Sequence, residues 1–294
     1  MLDHVATLIA RPERAPELTA ALADVKAAFP DSGIDWLAAD EAVDVHLDGA
    51  PGLRDRIRAL VGDRPVDAVV QPVADRRKKL LVADMDSTMI GQECIDELAD
   101  FAGIKAEIAE ITERAMRGEI AFRDALRERV RLLAGLPLTA IDRVIEERVT
   151  VNPGAVTLLR TMRANDAYAV LVSGGFTSVV ERVGARLGFD EFRGNLLIVA
   201  DGKLTGAVAE PILGREAKRA ALEEYAARLG LAATETLAVG DGANDLDMLA
   251  GAGLGVAYHA KPKVAEAAGA RIDHTDLTAL LYAQGYRRDE LLAG

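Results

Sequence analysis

With a single cysteine, Cys94, in 294 residues, no disulfide can form within this chain. That suits a reducing compartment. No histidine lies near Cys94 in sequence, so it reads as a small buried hydrophobe on a helix and not as a nucleophile. Aromatic residues are scarce at 4 %, which leaves Leu, Val, Ile and Ala to build the core. Positive charge is also short: 35 Lys and Arg against 47 Asp and Glu give a net charge of −12. Nucleic acid is thereby excluded as the main partner, because a phosphate backbone needs a basic face. A small phosphate ester stays open, since it needs only a local positive pocket. No run of about 18 apolar residues occurs, so no membrane partner is expected. Met1–Pro12 has neither a basic run nor a long apolar stretch, and no signal peptide is expected. The chain reads as cytoplasmic.

What is present describes a globular protein of more than one domain. Half the residues are hydrophobic, and the length exceeds the usual single-domain size. Residues 1–74 read as a βαββαβ unit: strands at Val5–Ile9, Ile34–Leu37, Ala42–Leu47 and Val66–Pro72, helices at Ala15–Phe29 and Gly52–Val61. This is a ferredoxin-like order. His4 and His46 are isolated there, and Trp36 reads as a packing residue. Arg76-Arg77-Lys78-Lys79, within 75–79, reads as a solvated linker.

From residue 80 to 294 the pattern changes. Leu80–Ala83, Ala169–Val172, Thr236–Val239 and Leu254–Ala257 are short apolar runs of the kind buried on both faces of a sheet. Helical stretches separate them, which predicts an α/β fold with a doubly wound parallel sheet. An insertion at about 91–150 reads as helical throughout and follows the first strand, where it would cap a ligand site. Leu196–Val199 and Leu204–Gly206 predict a small hairpin off the sheet.

Polar clusters follow the buried strands: Asp84-Met85-Asp86-Ser87-Thr88, Ser173-Gly174-Gly175, and Gly240-Asp241-Gly242-Ala243-Asn244-Asp245. In open α/β sheets ligands bind beyond the carboxyl ends of the strands, so these clusters should share one crevice. Asp84, Asp86 and Asp241 offer oxygens to a hard cation. Ser173 offers a hydroxyl, Gly174 an unobstructed N–H, and Lys218 a point charge for a phosphate. Taken singly, each could be a cap, a turn or a surface charge. Their coincidence after three separate buried strands is the signal.

On those residues the catalytic part, Leu80 to about Asp276, resembles the haloacid-dehalogenase-like phosphatases, closely the members that act on O-phospho-L-serine. The resemblance includes Asp201-Gly202-Lys203-Leu204-Thr205-Gly206 as well. It implies a small phosphomonoester, phosphoserine, as the substrate. Asp84 would be the nucleophile and Asp86 the general acid and base. One Mg²⁺ per active site would be held by Asp84, Asp86 (through its backbone carbonyl) and Asp241. Ser173, Gly174, Lys218 and Asn244 would hold the phosphate, with Asp245 and Gly175 in support. In the cap, Glu93 matches the position that grips the substrate ammonium and Arg129 the one that receives its carboxylate, while Met116 and Phe122 close over the site. Residues 1–74 resemble the ACT-type modules that precede some bacterial phosphatase domains, which implies a possible homodimer and serine feedback.

Two other readings compete. The same scaffold could act on another small phosphate or transfer phosphate to an alcohol. The chain could also be an amino-acid sensor with a vestigial phosphatase part, but no acid, metal ligand or lysine is missing.

Overall fold

The computed structural model describes residues 2–117 and 119–293, without the side chain of Met116. Strands β1 (His4–Ile9), β2 (Gly33–Ala38), β3 (Ala42–Leu47) and β4 (Asp67–Pro72) alternate with α1 (Ala15–Ala28) and α2 (Leu53–Val61) in βαββαβ order. They form an antiparallel sheet in the order β2-β3-β1-β4. Side chains alternate between the faces of a strand. Ala6, Leu8, Val43, Val45 and Val70 therefore pack beneath the helices against Leu18, Val25, Ile57 and Val61. Ile9, Ala42 and Val69 take the opposite face and join the core of the remaining chain.

That remaining chain is built on β5 (Leu80–Ala83). Four helices follow it: α3 (Cys94–Ala102), α4 (Lys105–Met116), α5 (Phe122–Leu132) and α6 (Leu138–Glu147). Then come α7 (Ala155–Ala164), β6 (Tyr168–Phe176), α8 (Thr177–Leu187), β7 (Glu191–Asn195), β8 (Leu197–Ala200), β9 (Lys203–Val208) and α9 (Arg215–Leu229). The chain closes with β10 (Thr236–Gly240), α10 (Leu246–Gly251), β11 (Leu254–Tyr258), α11 (Pro262–Ala267), β12 (Ala270–Ile272) and α12 (Ala279–Ala283). Six strands form one parallel sheet in the order β12-β11-β10-β5-β6-β7. Both faces are covered, as the apolar runs require. Leu80, Val82, Val170 and Ala238 pack on Leu222, Tyr225 and Met248, whereas Leu81, Ala83, Leu171 and Val239 pack on the opposite layer with Leu158, Val180 and Leu281. Each such Leu or Val contributes about 1.5–3 kcal/mol by leaving water. β7 and β12 were not legible in the sequence. They are the sheet's two edges, and neither carries an apolar run.

Helices α3–α6 form the expected helical insertion. Its two ends are pinned together: Ile90 and Val151 form a bridge, Gly91 N donates to Thr150 O at 3.0 Å, and Gln92 bonds Thr150 in both directions at 2.8 Å. The β8–β9 hairpin is tied to the α5–α6 turn through Gly135 N to Leu204 O at 2.8 Å and Leu138 N to Gly202 O at 3.0 Å.

Two expectations are corrected. The basic run is solvated only in part: Arg77 and Lys79 are exposed, whereas Arg76 and Lys78 are not. The Arg76 guanidinium grips Asp44 with both terminal nitrogens at 2.6 and 2.7 Å, and donates to Thr7 Oγ1 and Ala283 O at 2.8 Å. Lys78 is 5 % exposed and donates to the carbonyls of Asp75 and Thr234, both at 2.7 Å. The cause lies in the strand alternation: the face of the N-terminal sheet that docks on the core carries Thr7, Asp44, Asp67 and Gln71, and buried polar groups require partners. Trp36, expected to pack, is instead exposed on edge strand β2.

Candidate active site

From β5 the sheet proceeds to β6 and β7 on one side; from its neighbour β10 it proceeds to β11 and β12 on the other. The β5–β10 boundary is thus the switch point, where outgoing loops diverge and open a crevice. Asp84 leaves the end of β5, and Asp241 the end of β10. Ser173, Gly174 and Gly175 lie at the C-terminal end of strand β6, and Lys218 in the first turn of α9. Ser87 takes a left-handed conformation at φ 56°, which turns the chain sharply away after Asp86.

The three loops meet. Lys218 Nζ stands 2.7 Å from Asp84 Oδ1 and 2.6 Å from Asp245 Oδ1. Thr88 Oγ1 donates to Asp241 Oδ1 at 2.9 Å. Carboxylate oxygens of Asp84, Asp241 and Asp245 lie within 4.8 Å of one another. Burial, then the charge of Asp245, pushes the Asp84 carboxyl well above its ordinary value despite Lys218. Burial also raises Asp241, to about 6. Burial opposes the charge of Lys218, but Asp84 and Asp245 outweigh it and raise its pKa.

Three carboxylates against one ammonium leave two uncompensated negative charges in a buried space. An all-oxygen donor set with that imbalance fits a hard divalent cation. Asp245, expected only to support, has its carboxylate within this cluster, though one oxygen is committed to Lys218 and the other accepts Gly242 N at 3.0 Å.

The Asp86 side chain points elsewhere. Its Oδ1 accepts Cys94 N at 2.9 Å and its Oδ2 accepts Ser173 Oγ at 3.1 Å. Burial raises its pKa against those hydrogen bonds, so this carboxyl is disposed to hold a proton. A Cβ on Gly175 would lie 3.1 Å from Asp86 Oδ2 and 3.0 Å from Ser173 Oγ, tighter than ordinary contact. Asn244 is exposed at the crevice rim, its Oδ1 beside Gly242.

The cap supplies a second set of groups. Phe122, first residue of α5, sits over Gly174, where an added Cβ would meet its ring at 3.4 Å. Glu93 accepts Ser87 Oγ at 2.8 Å. The residue is exposed as a whole, but its carboxylate is crowded by protein; that crowding, then the charge of Asp86, raises it to about 7. Arg129 donates to Ala125 O at 3.3 Å. Burial lowers its pKa, while the charges of Asp96 and Glu93 oppose the shift. Arg129 and Glu93 are thus near enough for their opposite charges to interact. Met116 lies outside the described residues. A groove of about 470 Å³ between α5 and β9, lined by Asp124, Arg127 and Arg131, lies apart from these acids.

Cys94 is buried and its thiol pKa is raised by burial, then by the charge of Asp86; both its backbone N–H and its thiol are turned to the Asp86 carboxylate. Three neutral residues escaped sequence reasoning. Thr88 orients Asp241. Asn195 is buried and donates to Gly174 O at 2.8 Å. Asn152 donates to Thr88 O at 2.8 Å and Ile90 O at 3.2 Å. Only Thr88, inside a cluster already singled out, carried a signal.

A family model described as haloacid dehalogenase-like hydrolase matches residues 81–250. Phosphoserine phosphatase SerB2 of Mycobacterium tuberculosis is 43 % identical over 236 residues, 80 % of this chain and 58 % of that protein. The chain therefore spans little more than half the length of this relative. A phosphoserine phosphatase of a Polaromonas species is 47 % identical over 208 residues, 69 % of this chain and 88 % of that one. Among solved structures, a phospho-aspartyl intermediate analogue of phosphoserine phosphatase is 40 % identical and superposes with a TM-score of 0.65, covering 72 % of this chain and 100 % of its own. This chain belongs to the haloacid dehalogenase-like hydrolases.

Proposed function

We propose that the chain is a magnesium-dependent phosphatase that hydrolyses O-phospho-L-serine to serine and phosphate through a phosphorylated Asp84. The observation that carries this reading is the pairing of two acids two residues apart in opposite settings. Asp84 faces Lys218 and the carboxylate cluster, while Asp86 faces Ser173 and a backbone N–H. The relatives and the phospho-aspartyl analogue support it.

One Mg²⁺ would be held by Asp84, Asp241 and the Asp86 backbone carbonyl, with Asp245 behind them. When bound it screens the negative charge between carboxylate and phosphate. With that charge met, Asp84 is ionised and attacks phosphorus directly, needing no base. The phosphorus–oxygen bond to serine breaks as Asp86 delivers its proton to the leaving oxygen. Asp86 then takes a proton from the water that releases phosphate from Asp84. General acid help of this kind is worth about 10²–10⁴ in rate. Lys218, Ser173, Gly174 and Asn244 meet the spread charge on the equatorial oxygens. Glu93 takes the substrate ammonium, and Arg129 the α-carboxylate with its planar fork.

The partner is a small phosphomonoester. The N-terminal unit, with Ile34 and Trp36 exposed on edge strand β2, is the place for a homodimer contact, which light scattering of wild type and Trp36→Glu would test. Phosphate release from L-phosphoserine, with Mg²⁺ and with chelator, tests the function. The proposal requires release that depends on Mg²⁺; release unaffected by chelator, or none at all, contradicts it.

A further inference from the structure

We propose that Asp67, in the N-terminal sheet, is a positioning residue for the cation site, acting through the 273–278 strap and the return of the cap. The inference rests on reading Asp241 as a cation-holding carboxylate.

Asp67 begins β4 on the face that docks against the core, and it is 3 % exposed. Its carboxylate gathers one turn of the strap: Oδ1 accepts Asp273 N at 2.8 Å, and Oδ2 accepts Thr275 N at 2.9 Å and Thr275 Oγ1 at 2.6 Å. His274 N adds a longer bond of 3.2 Å. Among the described residues, no other side chain fixes these backbone donors. The next turn is fixed by Asp276, whose Oδ1 accepts Thr278 N at 2.8 Å.

The second turn bears on Gly154. This glycine has φ 82°, and a Cβ there would lie 2.5 Å from Thr278 N and 2.9 Å from Leu277 N. Leu277 N donates to Pro153 O at 3.2 Å. Strap and cap return are therefore in close contact through their backbones, with Asp276 Oδ1 beside them at 2.8 Å from the same Cβ position. One residue earlier, Asn152 donates through Nδ2 to Thr88 O and Ile90 O, and through its backbone N to Met89 O at 3.0 Å. Thr88 in turn orients Asp241. Each link is a hydrogen bond or a close backbone contact, and along this route the placement of Asp67 bears on that of Thr88, whose backbone carbonyl Asn152 holds. Arg76 joins the same two units but bonds Ala283 and Tyr282, off this route.

A route is coupled only if its ends respond to one another. The test is calorimetric titration of the full chain with Mg²⁺ alone, in wild type, Asp67→Asn, Thr88→Val, their double variant and Arg76→Met. We expect Thr88→Val and Asp67→Asn each to weaken Mg²⁺ binding by about three- to tenfold, and the double variant to bind no more weakly than Thr88→Val. Arg76→Met should lower the melting temperature and leave Mg²⁺ affinity unchanged. Wild-type affinity in Asp67→Asn, or factors that multiply in the double variant, would overturn the inference. If Asp67→Asn does not fold, Thr275→Val removes one donor and keeps the rest; unchanged Mg²⁺ affinity in it overturns the proposal equally. A wild type that takes up no Mg²⁺ defeats the cation reading itself.

Discussion

Lys218 Nζ lies 2.7 Å from Asp84 and 2.6 Å from Asp245, and all three side chains are buried. The ammonium is the only cation within hydrogen-bond reach of that pair among the described residues. Removing one member of a buried ionic group leaves charge uncompensated and costs about 3–5 kcal/mol. Lys218→Met should lose stability of that order in urea denaturation without metal. Saturating Mg²⁺ should restore part of it. Equal stability in wild type and variant without metal would show that the carboxylates do not need this charge.

Metal binding should weaken in acid. Asp241 is raised from 3.8 to about 6 by burial, so below that pH a proton competes with the cation. A raised carboxyl in the folded state stabilises it in acid, and that contribution is lost as pH rises through about 6. Magnesium should therefore raise the melting temperature little near pH 5 and progressively more toward pH 8, with protons released on binding near pH 6. A shift independent of pH would contradict this assignment.

Glu93 gives a second pH signature. Its carboxyl is raised to about 7 by burial and by Asp86, and only the ionised form attracts an ammonium. KM for phosphoserine should rise as pH falls below about 7, and Glu93→Gln should raise it about tenfold or more, as expected for a lost charged hydrogen bond. KM for an aryl phosphate, which lacks the ammonium, should stay constant in both cases. Parallel changes for the two substrates would place Glu93 at the phosphate.

The sequence made the apolar strands and their terminal acids readable because burial on both faces leaves an unmistakable run, and the chemistry needs charged residues. Strands β7 and β12 lacked the run: Glu191-Phe192-Arg193-Gly194-Asn195 is mostly polar, and Ala270–Ile272 is three residues long. Asn152 and Asn195 act through neutral amides, which look the same in a loop that does nothing. Arg76 and Lys78 misled for another reason. A basic run is soluble in most settings, and only the polar face of the docked sheet, assembled from the separate strands β1, β3 and β4, makes Arg76 and Lys78 part of a buried clamp.

That clamp can be measured. Arg76 and Asp44 form a forked pair whose side chains are 12 % and 2 % exposed. Arg76→Met or Asp44→Leu alone should cost about 3–5 kcal/mol in urea denaturation, whereas the double variant should cost less than either, since no charge is left stranded. Additive losses would show that the two residues act separately.

The central claim is that phosphate passes through the Asp84 carboxylate. Rapid quench of the enzyme with radiolabelled phosphoserine, followed by peptide mapping, tests it most directly. The account predicts label on the peptide bearing Asp84, formed slowly in Asp86→Asn because the serine oxygen receives no proton, and absent in Asp84→Asn. Phosphate release at the normal rate by Asp84→Asn, or label on any other residue, would contradict it.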